Sequence, residues 1–245
     1  MERSKEKVAL ITGANKGIGF EVARQLGKAG CTVVIGARNL ALGEQAANTL
    51  RAENIEVRLV ELDLDRRETI TAAAKSIADE FGRLDILVNN AGIADLTADG
   101  PPGVASLDAV ERIMKINFLG AAAVTQAMLP LVRKSAAGRV VNVSSGLGSL
   151  TWHGDPNWEY ARVKVLGYPA SKAALNMLTV QLAHELRDTG IKVNSADPGY
   201  TATDLNGNRG HQTVAEGAAE TVRLALLPKD GPTGGFSNTA GACPW

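Results

Sequence analysis

A chain of 245 residues with 26 basic and 26 acidic side chains is electrically balanced and long enough to bury a substantial core. With no long basic run, there is no electrostatic reason to expect nucleic acid or an anionic membrane as the main partner. Small molecules are the expected partners. The charged start, M-E-R-S-K-E-K, is followed by an apolar run, V-A-L-I, far too short for a signal peptide or a spanning helix. A soluble, cytoplasmic protein is expected.

Short β-branched runs at 8–12, 32–37, 56–61, 84–89, 139–144 and 192–196 alternate with Ala- and Leu-rich stretches long enough for helices. Runs such as V-A-L-I and R-V-V-N-V are apolar on both faces, as strands of a parallel sheet covered by helices on both sides must be. The alternation predicts a doubly wound α/β fold. No linker, repeat or change of composition divides the chain, so one domain over residues 1–245 is expected. Two loops, 95–103 and 200–213, follow strand ends, where such folds bind ligands, and are candidate pocket walls. Cys31 and Cys243 lack metal-ligand spacing and are expected as small apolar side chains rather than a disulfide.

The first strand leads straight into T-G-A-N-K-G-I-G at 12–19. Gly13, Gly17 and Gly19, with Asn15, Lys16 and Ile18 among them, would let the backbone turn sharply toward a pyrophosphate. The free N–H groups of the following helix start would favour its charge. The spacing departs from G-x-G-x-x-G, and no G-K-S or G-K-T follows as a triphosphate loop requires. After the second strand, Ala37 stands where an acid would normally meet the adenosine ribose 2′-hydroxyl. Arg38 comes next and offers a fork of donors suited to a 2′-phosphate, with Lys16 able to approach the same group. NADP(H) is therefore expected over NAD(H).

T-G-A-N-K-G-I-G, D-L-D at 63–65, N-N-A-G at 89–92, Asn117, S-S at 144–145, Y-P-A-S-K at 168–172 and P-G-Y-T-A-T at 198–203 occur in one order. That set resembles the short-chain dehydrogenase/reductase family, with a carbonyl reductase-like character, over nearly the whole chain. The resemblance implies a single Rossmann-type doubly wound domain with a seven-stranded parallel β-sheet flanked by helices. It also implies a nicotinamide cofactor and hydride transfer to or from a carbonyl or alcohol. By position, Asp63 and Leu64 would meet the adenine, and Asn90, Ala91 and Gly92 would line the cofactor. Pro198, Gly199, Thr201 and Thr203 would hold its nicotinamide end. Asp63 also reads as a helix cap and N-N-A-G as an ordinary turn.

Reducing a ketone requires a proton for oxygen as hydride reaches carbon, and an unperturbed tyrosine is a poor base for the reverse at neutral pH. The resemblance makes Tyr168 the acid, Lys172 its neighbouring ammonium and ribose contact, Ser145 the hydroxyl that fixes the carbonyl oxygen, and Asn117 the holder of a relay water. Lowering the tyrosine pKa by about 3 units would correspond to about 4 kcal/mol of differential stabilisation. A second pair, Tyr160 and Lys164, has the same spacing and lies nearer Ser145. It is followed by Gly167, an interruption of any helix begun at Tyr160. Tyr168 is followed by small residues and then Leu175, Leu178, Leu182 and Leu186 at helical steps.

The excess distance from Ser145 to Tyr168 reads as an insertion within 150–167. Its Trp152, His153, Trp158 and Tyr160 would form either an aromatic wall at the substrate mouth or the packing of a loop. With no metal-ligand cluster, His153, His184 and His211 are read as noncatalytic, and no metal is expected. The sequence thus predicts an NADPH-dependent reductase of ketones or aldehydes, acting on a small carbonyl or alcohol substrate, with homo-oligomers left open. A 3-oxoacyl thioester reductase and a noncatalytic NADP(H)-binding sensor are the rivals.

Overall fold

Strands form where the β-branched runs stand: β1 Val8–Thr12, β2 Thr32–Ala37, β3 Val57–Glu61, β4 Ile86–Asn89, β5 Arg139–Val143 and β6 Lys192–Ala196. Two short ones follow, β7 Phe236–Asn238 and β8 Gly241–Ala242. The computed structural model describes residues 7–245, so the charged residues 1–6 of the expected domain lie outside the description. The described chain forms a sheet of order β3-β2-β1-β4-β5-β6-β7-β8. Pairings from β3 across to β7 are all parallel, and β8 runs antiparallel to β7. The expected seven parallel strands are therefore present and are joined by an eighth. A two-residue loop, Thr239-Ala240, turns the chain back on itself, which only antiparallel strands permit.

The helices are α1 Gly17–Lys28, α2 Leu40–Ala52, α3 Arg67–Phe81, α4 Leu107–Met114, α5 Ala121–Val132, α6 Leu150–Gly154, α7 Gly167–Glu185 and α8 Val214–Ala225. Alternate residues of each strand feed two cores, as the strand period of two requires. Ile11, Val33, Val88 and Val141 meet Leu26, Leu50 and Leu224 of α1, α2 and α8. Leu10, Val34, Leu87 and Val140 meet Ile77, Met128 and Leu182 of α3, α5 and α7. Helix α4 joins α5 through a π-helical turn, Lys115–Gly120. The combined helix, Leu107–Val132, is long and apolar enough to cross a membrane by length and composition, but half of its most apolar window is buried inside this fold.

Strand order reverses between β1 and β4, which places a crevice over the carboxyl ends of those two strands. Beneath it, a buried chain of side-chain hydrogen bonds crosses the sheet. Asn89 Nδ2 donates to Asn142 Oδ1 at 2.8 Å, Asn142 Nδ2 to Thr179 Oγ1 at 2.7 Å, and Thr179 pairs with Ser195 at 2.8 Å. These buried hydrogen bonds tie the central strands to one another and to α7, with Asn89 Oδ1 alone in this hydrogen-bonded chain lacking a partner. Cys31 is buried as expected, whereas Cys243, beside the short β8, is only partly so.

Candidate active site

The crevice is a cleft of about 490 Å³. Its floor is the glycine turn. Gly13 and Gly17 have φ of +65° and +58°, in the left-handed region that glycine tolerates. A Cβ on Gly19 would collide with Asn90 Nδ2 and the Gly13 carbonyl. Asn90 holds the turn in place, donating from Nδ2 to the Thr12 carbonyl at 2.9 Å, while Thr12 Oγ1 accepts from the Asn90 and Ala91 amides, both at 3.0 Å. Helix α1 then starts with no capping side chain, so its first N–H groups face the cleft without an intrahelical partner. Ser144, on the cleft wall, has a buried hydroxyl with no hydrogen-bond partner. Open N–H groups, a turn too tight for side chains and an orphaned hydroxyl suit an elongated phosphate-bearing ligand such as a dinucleotide.

Gly13, Asn15, Lys16, Gly17, Ile18, Gly19, Arg38, Asp63, Leu64, Asn90, Ala91, Gly92, Tyr168, Lys172, Pro198 and Thr203 all line this cleft. Gly199 and Thr201 do not. The Thr201 hydroxyl is buried and donates to the Pro198 carbonyl at 3.0 Å, which makes it a brace for the turn rather than a wall of the cleft. Arg38 is exposed at the lip with no hydrogen bond or ion pair among the described residues. Lys16, expected near the same phosphate, instead pairs with Asp204 at 2.6 Å, both side chains being exposed. The sequence reading missed that partner because it lies 188 residues away.

Tyr168 and Lys172 line the cleft from the first turns of α7, and Ser145 follows β5 directly after the cleft-lining Ser144. The Ser145 hydroxyl hydrogen-bonds to the Tyr168 phenol. Burial pushes that phenol up to about 12, against the lowering from Ser145, and the carboxylate of Asp197 adds to the rise. This is opposite in direction to the lowered pKa expected from the sequence. Lys172 stands 5.5 Å from the phenol ring centroid and donates to the Val143 carbonyl at 2.8 Å. Its own burial, to 4 % exposure, brings it down to about 8.

Asn117 is buried in the π-helical turn, where its Oδ1 accepts from the Ile93 amide at 2.8 Å. Its Nδ2 donates to the Ile93 carbonyl at 2.9 Å and to Ser171 Oγ at 3.0 Å. Both amide donors are therefore committed to holding the strand-end loop against α7. Gly92 lies between Asn117 and Lys172: a Cβ there would sit 3.2 Å from Asn117 Oδ1 and 3.6 Å from Lys172 Nζ.

Asp99, in the loop 95–103, is the functional residue that sequence reasoning did not single out. Its buried carboxylate accepts from the amides of Leu166 at 3.0 Å, Gly167 at 2.7 Å and Tyr168 at 2.8 Å. One side chain thus accepts three amides at the start of α7, of which Leu166 also donates to the Gly100 carbonyl. Asp95 anchors the same loop, accepting from Thr97 and Ala98 and pairing with Arg112. The only sequence signal was the position of this loop after a strand end.

Tyr160 and Lys164 do not assemble. Tyr160 lies in a turn, and Lys164 is exposed and reaches the His153 carbonyl at 3.4 Å. Rings from the insertion instead pack on one another: Trp152 stacks on Trp158 at 5.5 Å, Trp158 meets Tyr160 at 5.4 Å, and Tyr160 meets Tyr200 at 6.1 Å. His153 binds the Leu147 carbonyl at 2.9 Å, His184 contacts Arg187, and His211 lies edge-on to Tyr200.

The chain is similar over nearly its whole length to known proteins. Salutaridine reductase of Papaver somniferum is 32% identical over 95% of this chain and 94% of its own length. The NADPH carbonyl reductase 1 of Mus musculus is 34% identical over 99% of both. The crystal structure of an NADPH-bound carbonyl reductase from chicken fatty liver superposes with a TM-score of 0.85 at 26% identity, covering 98% of this chain and 100% of that one. The profile of the short chain dehydrogenase family matches residues 7–213, and with relatives at these identities over nearly full length, the chain belongs to the short-chain dehydrogenase/reductase family of oxidoreductases.

Proposed function

We propose that this chain is an NADPH-dependent carbonyl reductase, one domain over residues 1–245 working in the cytoplasm, that reduces ketones or aldehydes and runs in reverse on alcohols. The observation that carries the reading is the Ser145–Tyr168–Lys172 set: Ser145 hydrogen-bonded to the Tyr168 phenol, and Tyr168 and the buried Lys172 lining the cleft from one helix. A reduced nicotinamide bound there would supply hydride. Tyr168 gives its proton to the carbonyl oxygen; a phenol near 12 is fully protonated at neutral pH, the form this step needs. Ser145, bonded to the phenol, positions the same oxygen. Lys172, near 8, is mostly an ammonium at neutral pH, so its charge favours the phenolate left after transfer. With one N–H committed to Val143, Lys172 keeps two more for the phenol and the cofactor ribose.

The pyrophosphate would lie against the amides of Gly17, Ile18 and Gly19, with Asp63 and Leu64 at the adenine. Arg38, exposed and unpaired among the described residues, supports a 2′-phosphate. The set is complete, which speaks against a protein that only senses NADP(H). A panel of ketones and aldehydes, followed by loss of NADPH absorbance and repeated with NADH, tests the proposal. NADPH is expected to be preferred, and Arg38→Asp to shift the preference toward NADH by about 10- to 100-fold, the range of a lost charge-assisted contact. An enzyme that oxidises NADPH with no carbonyl compound would overturn the reading.

A further inference from the structure

One buried carboxylate beside the neighbour of Ser145 is not used by the reduction. Asp197 follows β6 and is 8 % exposed. Its Oδ1 accepts from the Gly199 amide at 3.0 Å, while Oδ2 receives only a long bond from Asn238 Nδ2 at 3.4 Å. Among the described residues it has no ion pair. Oδ2 lies beside Gly146, the neighbour of Ser145: a Cβ there would sit 3.4 Å from Asp197 Oδ2 and 3.0 Å from the Trp152 ring. The carboxylate also acts on two phenols at once, adding to the rise of Tyr168 and of Tyr160. It therefore sits among Ser145, Tyr168 and the aromatic insertion.

Two costs attach to it. A buried carboxylate without a counterion is unfavourable. It also opposes the phenolate that Tyr168 becomes on giving up its proton. For a neutral ketone, an uncharged side chain of the same shape would serve better. A positive charge on the substrate removes both disadvantages, by pairing with the carboxylate and by screening it from the phenol. The surrounding indole and phenol rings attract cations as well.

Building on the reductase reading, we propose that Asp197 is a specificity-determining residue that selects carbonyl substrates carrying a cationic group, a protonated or quaternary amine. The test compares two ketones of one shape, 1,1-dimethyl-4-oxopiperidinium and 4,4-dimethylcyclohexanone, on the wild type and on Asp197→Asn with NADPH saturating. Asn preserves the Oδ1 acceptor for Gly199, and the intrinsic reactivity difference between the ketones cancels between enzymes. The cation-to-neutral ratio of kcat/KM is expected to fall at least tenfold in Asp197→Asn, with the neutral ketone reduced faster than by the wild type. If either ketone is not turned over, its Ki against the best carbonyl of the panel is read by the same ratio. A ratio that stays within threefold in an active enzyme overturns the inference and leaves the reductase reading standing. A wild type inactive on every carbonyl overturns both.

Discussion

Within 160–172, two tyrosines are each followed four residues later by a lysine, and the fold treats the two pairs as different objects. Tyr168 and Lys172 begin a helix of 19 residues, the lysine is buried, and the amides of Leu166, Gly167 and Tyr168 are held by Asp99. Tyr160 and Lys164 lie in an irregular loop, the tyrosine edge-on and tilted among other rings and the lysine in solvent. Equal spacing therefore says little until a helix start is fixed. What sets one pair apart is a clamp on the backbone and removal from water, both supplied from elsewhere in the chain.

The comparison breaks most sharply at the phenol itself. Tyr168→Phe is expected to lower kcat by about 10³-fold, within the range for a lost general acid, while NADPH affinity by fluorescence titration changes less than about threefold. Retained turnover would make Tyr168 no more important than Tyr160. Next in size, Asp99→Ala removes the clamp on α7. A loss of about 10²-fold in kcat is expected, with the NADPH Kd little changed and about 1–3 kcal/mol lost in urea unfolding, as for buried donors left without an acceptor. Asp99→Asn keeps one acceptor oxygen and should recover part of the kcat; equal loss in both variants would reduce Asp99 to packing.

A smaller effect comes from pH. Burial lowers Lys172 to about 8 from 10.5, so the ammonium that supports Tyr168 is present below about 8 and lost above it. kcat/KM is expected to fall about tenfold per pH unit beyond that point, as a single essential ionisation requires. Stability runs the other way, because the unfolded chain keeps the proton up to 10.5. The folded protein is expected to gain stability between about pH 8 and 10.5, read as a rising urea midpoint. Smallest of all, Tyr160→Phe should change kcat less than about threefold, since its ring contacts remain and only the hydroxyl is lost. A collapse of turnover in that variant would reverse the comparison.

Most of the cofactor side was legible because its reasons are local. A glycine turn leaving a strand and opening a helix has few alternatives, and Asn90 confirms it by filling the space where Gly19 lacks a side chain. Strand positions were legible where both faces are apolar. β7 and β8, of three and two residues, are too short to show any period. What escaped notice depends on distant partners. Nothing in D-L-T-A-D-G-P-P-G reveals which acid turns toward Gly167, 68 residues on from Asp99. The sense of the Tyr168 shift escaped for a similar reason: a lysine one helical turn away announces itself in sequence, whereas the depth of burial that raises the phenol does not.

The π-helical turn at Lys115–Gly120 carries a consequence for how this protein can vary. Each added residue advances a helix by about 100°, so the turn acts as a phase shift between α4 and α5. Ile113 before it and Val124 and Met128 after it are all fully buried, so both halves of the helix are tied into the interior. Removing one residue would rotate one half of the helix by about 100° relative to the other. Substitutions at 115–120 alter what the site contains; a change in residue count there alters which way a whole helix faces.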